Sequence, residues 1–140
     1  MEDKYKLIRF LEAQNQMYLK ALSEIKRGKK QSHWMWFIFP QVKGLGVSDT
    51  SNYYGITGIA EATAYLEHPV LGKHLIEIAA ATLGIKGRTA LDIFGSPDDM
   101  KFHSSMTLFS QVRNADPVFQ KVLDIYFNRE PDKSTLLLLS

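Results

Sequence analysis

A chain of 140 residues, 45% hydrophobic and 23% charged, fits one globular domain with its own core. With no cysteine it has no disulfide framework, thiolate metal site or thiol nucleophile, and a net charge of +2 is too small to favour nucleic acid as a partner. No apolar signal region opens the chain and no apolar run is long enough to span a bilayer, so the expectation is a single domain over residues 1–140, cytoplasmic and off the membrane.

From Asp3 to Arg27, Ile8, Leu11, Tyr18, Leu22 and Ile25 recur three, four or seven apart and predict a helix with one apolar stripe. Asp3 is placed to cap its start and Gly28 to stop it. Gln14 and Asn15 interrupt the stripe; exposure on its flank is the simpler reading, an amide turned into a pocket the sharper one. Lys26-Arg27-Gly28-Lys29-Lys30 reads as a solvated helix end, because no regular basic stripe continues it.

Ser32 is expected to cap a short helix from His33 to Phe39, ended by Pro40. A strand is the alternative, since aromatic residues favour extended structure, but nothing in the chain offers a second strand to pair with it. Both tryptophans, Trp34 and Trp36, fall in this segment. Gln41 to Tyr54 reads as an irregular loop, and its Gly44-Leu45-Gly46 is too slight to signal a phosphate cradle.

Ile56 to Glu67 is expected as a helix with Ile59, Ala60, Thr63 and Leu66 on its core face. His68-Pro69 starts another, carrying Val70, Leu71, His74, Leu75, Ile78, Ala79 and Leu83 to Gly84 or Gly87. Thr89 to Phe94 reads as a helical turn stopped by Gly95. Ser96-Pro97-Asp98-Asp99 is a strong start signal, with Ser96 as the cap, for a helix through Val112 whose Met106, Phe109 and Val112 face the core. Asp116-Pro117 starts a helix through Phe127 with Val118, Val122, Ile125 and Tyr126 inward. Asp132 or Ser134 caps a last turn whose leucines, Leu136 to Leu139, should dock on the body. The sum is an all-α, single-domain bundle of about six to eight helices.

Four chemistries are open to these residues. The four histidines show no metal-ligand spacing, and no cofactor motif is present. Lys101 shares a helix face with Asp98 and Ser105, and with Ser104 makes the densest polar constellation. A Ser–Lys nucleophile there lacks any nucleophile elbow, and surface hydrogen bonding is the simpler reading. Glu61, flanked by apolar positions, is the candidate buried acid or base, with a salt bridge explaining it equally well. Trp34, Trp36, Tyr53 and Tyr54 could sandwich a planar group while Gln41 and Ser48 read its edge; a core role for both tryptophans is the competing reading.

The run His33-Trp34-Met35-Trp36-Phe37-Ile38-Phe39-Pro40-Gln41, with Gly44-Leu45-Gly46, Ser48, Tyr54, Glu61-Ala62, Tyr65-Leu66, His68-Pro69, Leu71-Gly72 and Asp98, Lys101, Ser104-Ser105-Met106-Thr107-Leu108-Phe109, resembles a family of bacterial proteins catalogued as domain of unknown function 1810. The resemblance runs from Gln14 to Phe109 and implies an all-α, multihelical single domain like a mycobacterial relative of unknown role. Some members carry the label calpastatin, a protease inhibitor; calpastatins resemble disordered repeat-bearing chains, whereas this pattern is compact and aromatic.

The leading functional reading is a pocket for a small polar ligand, a nucleotide or nucleotide–sugar derivative. Trp34, Trp36 and Tyr54 wall it, and Gln41, Ser48, Ser104 and Ser105 make its polar contacts. Lys101 meets a phosphate, and Lys101 and Glu61 serve any hydrolysis. The alternative is a non-enzymatic interaction or homo-oligomerisation module acting through the Leu136–Leu139 tail. The two tryptophans discriminate: a partly exposed indole beside a cleft favours the ligand, two buried indoles the module.

Overall fold

Asp3 receives the backbone N–H groups of Leu7 and Ile8 at 2.7 and 2.9 Å, which satisfies two of the orphan donors of the first helix, α1 (Ile8–Lys26). It ends at Gly28, whose φ of +84° suits a residue without a side chain. Eight more helices follow in the computed structural model, which describes residues 3–140: α2 (Met35–Ile38), α3 (Asp49–Tyr54), α4 (Ile59–Glu67), α5 (Leu71–Leu83), α6 (Ala90–Phe94), α7 (Asp98–Ser110), α8 (Val118–Tyr126) and α9 (Lys133–Leu139). No strand occurs among the described residues, so the fold is all-α; the only extended pairing there is a parallel bridge between Val42 and Ile56.

The α5 helix lies at the centre, against α1, α4 and α8, while α7 packs on α8, α6, α9 and α4. Two elements knit these layers. One is an aromatic seam in which Phe39 meets Phe102 edge-on at 5.0 Å and Phe102 stacks with Phe94 at 4.4 Å. The other is the tight α4–α5 corner, where a Cβ on Gly72 would lie 2.1 Å from the carbonyl oxygen of Leu66. Only glycine permits that approach.

Several local expectations are corrected. One helix more than expected, α3, forms inside the segment expected to be irregular, because Ser48 accepts the N–H of Ser51 and caps it. The tryptophan helix is shorter than expected, and Ser32 does not cap it; its N–H and hydroxyl go to Glu24. In α4 the buried residues are Glu61, Ala62 and Tyr65, not the stripe through Ala60. Glu61 tolerates that face because Arg9 and Thr57 satisfy its carboxylate.

Ile56 lies in the bridge rather than in α4, and Ser96 forms a cis bond to Pro97 without capping α7. The inward face of α8 is turned toward Phe119 and Leu123, leaving Ile125 63% exposed, and Ile8 is also exposed. The leucine tail docks only in part: Leu139 packs against the core, whereas Leu137 is 75% and Leu138 47% exposed. Gln14 is not on the flank but buried, donating to the Phe37 carbonyl at 2.7 Å and to the Tyr65 hydroxyl at 3.0 Å, with its oxygen 2.8 Å from His74 Nδ1.

Candidate functional site

A chain of charged and aromatic groups leads from the core to the surface. Glu24 in α1 is buried, and its Oε1 accepts from the backbone of Gln31 and Ser32 and from the Trp34 indole at 2.9 Å. Burial by itself raises this carboxyl's pKa; the hydrogen bonds from the Ser32 hydroxyl, the two amides and the indole outweigh that and bring it down to about 2. Over the Trp34 ring, at 5.1 Å, sits the ammonium of Lys30, which pairs with Asp98 at 2.8 Å. The other oxygen of Asp98 is 3.4 Å from Lys101, whose ammonium in turn lies 4.7 Å from the centre of the Trp36 ring. Two lysines thus share one carboxylate. The inner one is almost enclosed, and the outer one keeps a surplus positive charge beside a half-buried indole.

That indole opens on a cleft of about 350 Å³. Trp36, Gln41 and Val42 form one wall, Ser51 and Tyr54 of α3 a second, and Met100, Lys101, His103 and Ser104 of α7 a third. Asp132 and Ser134 close the end. The frame is stiff. The Ser104 hydroxyl is within 3.1 Å of Asp132 Oδ2, which also receives the N–H and hydroxyl of Thr135 and so caps α9. His103 stacks on Phe127 at 4.1 Å, and its Nε2 lies 2.7 Å from the Glu130 carbonyl. A carbonyl only accepts, so Nε2 carries a proton and Nδ1 is the remaining lone pair in the neutral ring. Burial raises the Tyr54 hydroxyl's pKa, keeping it a neutral donor.

Of the residues expected to form a site, the structure brings Trp36, Gln41, Tyr54, Lys101 and Ser104 together around this cleft. It does not bring the others. Trp34 is fully buried with its indole spent on Glu24. Ser48 faces its own helix as the α3 cap, and Ser51 takes the place on the wall. Ser105 points inward from the side of α7 opposite solvent, fully buried, its hydroxyl without a partner. Glu61 lies away from the cleft in a 2.8 Å ion pair with Arg9, whose guanidinium also reaches the carbonyls of Tyr5, Tyr53 and Gly55. Among the described residues no cluster of histidines and carboxylates could hold a metal ion.

The sequence profile of the family described as protein of unknown function (DUF1810) matches residues 4–139. The chain belongs to this family. It is similar, at 42% identity, to the conserved hypothetical protein Rv1873 from Mycobacterium tuberculosis, whose crystal structure superposes with a TM-score of 0.96 over 98% of each chain. No curated protein matches it. Membership in DUF1810 accords with the all-helical fold and carries no activity with it.

The cleft holds three polar residues that pattern reading did not select as ligand contacts: His103, Asp132 and Ser134. For His103 and Asp132 a signal existed. His103 lies in the polar run of α7 and Asp132 at a helix-cap position; what sequence does not carry is that α9 folds back onto α7. The Glu24–Trp34–Lys30–Asp98 connection had no sequence signal, because it joins the end of α1 and the loop after it to the start of α7, far along the chain.

Proposed function

We propose that this protein binds a small polar ligand, a nucleotide or nucleotide–sugar derivative, in the cleft between α2, α3 and the start of α7. The observation that carries the reading is the contrast between the tryptophans: Trp34 is buried, whereas Trp36 is partly exposed on the cleft wall with the Lys101 ammonium 4.7 Å from its ring. A flat ring fits against an indole and a tyrosine, and an anionic group fits beside an ammonium that shares its only carboxylate with Lys30. Gln41, Ser51 and Ser104 supply groups to orient it. A cleft of about 350 Å³ is small for a ligand pocket, which favours a mononucleotide over a dinucleotide. Glu61 and Ser105 have no part in this reading.

The experiment is a thermal-shift and tryptophan-fluorescence screen against nucleoside monophosphates, nucleotide sugars and ADP-ribose. A ligand at about 100 times its Kd stabilises the fold by about 2.7 kcal/mol, which for a chain of this size raises Tm by roughly 10 °C. Trp36→Phe should abolish the fluorescence response and Lys101→Ala the Tm shift. An unchanged response in Lys101→Ala refutes the site. A second reading, self-association or partner docking through α9, rests on the exposure of Leu137 and Leu138. Sedimentation that shows a monomer, unaltered by Leu137→Glu, removes the self-association part of it.

A further inference from the structure

Two basic segments that lie some sixty residues apart in the chain converge on the face of the molecule made by the C-terminal ends of α1 and α5. A groove of about 410 Å³ there is lined by Lys26 and Arg27 on one side and Lys86 and Arg88 on the other, with Gly28 between them and no carboxylate in its walls. The Arg88 side chain lies across Gly28, where a Cβ would come within 3.3 Å of its Nε. A second groove of about 400 Å³ shares Lys86 and Arg88 and runs on past Thr89 to Ile125 and Tyr126. All four cations are exposed, and the three ion pairs among the described residues use Arg9, Lys30 and Lys101 instead.

Two helix C-termini account for part of this charge, since cations there offset the helix dipoles. They do not account for Lys86 and Arg88, which stand beyond the end of α5 in a loop. Asp92, whose charge feels Arg88, is held in the Thr89 capping box and lines neither groove. Four exposed cations gathered around a groove whose walls hold no carboxylate make a local positive potential that attracts a polyanion.

We propose that this double groove is a binding track for single-stranded nucleic acid, the four cations following the phosphate backbone and the Tyr126–Ile125 end receiving an unstacked base. A concave track with one aromatic at its end suits a flexible strand better than a duplex, which is met by a helix or ribbon entering its groove. The residues are distinct from those of the cleft beside Trp36.

The test is fluorescence anisotropy of a short labelled oligouridylate across a salt series. Four phosphate contacts at about 0.7 each predict a log–log salt slope near −2.8, so affinity falls by roughly 50-fold between about 50 and 200 mM salt. Lys86→Gln and Arg88→Gln should each make the slope shallower by about 0.7, at unchanged Tm because both side chains are exposed. Lys133→Gln, outside the grooves, should change nothing. The proposal is overturned by no binding at low salt, by a slope that the two substitutions leave unaltered, or by binding to phosphatidylserine vesicles without binding to the oligonucleotide.

Discussion

Glu24→Gln isolates the contribution of a single buried charge. Glutamine in the same rotamer keeps an oxygen for the three donors now on Oε1, from Gln31 at 2.7 Å, Ser32 at 2.9 Å and Trp34 at 2.9 Å. Its Nε2 then meets the Ser32 hydroxyl, 2.7 Å from Oε2, which can accept instead of donate. Shape and hydrogen-bond count survive; the charge does not. A carboxyl that titrates at about 2 rather than 4.5 favours the folded state by about 3 kcal/mol when ionised. Because the folded pKa is depressed, that contribution is fully present above pH 4.5 and is lost as pH falls toward 2.

Urea denaturation of both proteins from neutral pH downward reads the difference directly. The variant should be less stable by up to about 3 kcal/mol at neutral pH, and the gap should close between pH 4.5 and 2. Asp3 and Asp92 also have lowered pKa values, through their hydrogen bonds from backbone amides, but they titrate in both proteins and cancel. A stability gap that stays constant across this range refutes the reasoning.

Ser105→Ala removes a buried hydroxyl without a partner, so it should be neutral or stabilising by up to about 1 kcal/mol in thermal denaturation; a loss of stability would mean that the hydroxyl is satisfied. Glu61→Gln breaks the ion pair with Arg9 while keeping an acceptor for Thr57. It should cost about 2 kcal/mol, less than a fully buried broken pair, because backbone carbonyls still receive the guanidinium; ligand binding in the cleft should not change.

Helix positions were largely legible because their signals are local. The Asp3 cap, the Gly28 stop, the Thr89 start and the Asp132 cap each act within a few residues, and each appears where the pattern places it. Facing was less legible. The stripe on α4 left out Glu61, although its apolar neighbours marked it as a candidate buried or salt-bridged group; its partner, Arg9 on α1, comes from elsewhere in the chain. Ile125 satisfies the helical period of α8 as well as Phe119 does, and only contact with α5 and α7 decides between them. The same holds for the cleft: Trp36, Gln41 and Tyr54 are near neighbours in sequence, but Lys101, Ser104 and Asp132 join them through the packing of α7 and α9. Trp34 and Trp36 are two residues apart and enter opposite environments, a distinction that a four-residue helix turns on and that no composition reveals.

The two indole N–H groups therefore make the most direct test. In a ¹H–¹⁵N correlation spectrum of the protein titrated with adenosine monophosphate and uridine monophosphate, the Trp36 resonance should move with saturation while the Trp34 resonance, held on Glu24, stays in place. Movement of the Trp34 signal alone, or of neither signal with any nucleotide that raises Tm, would contradict a ligand site beside Trp36 and Lys101.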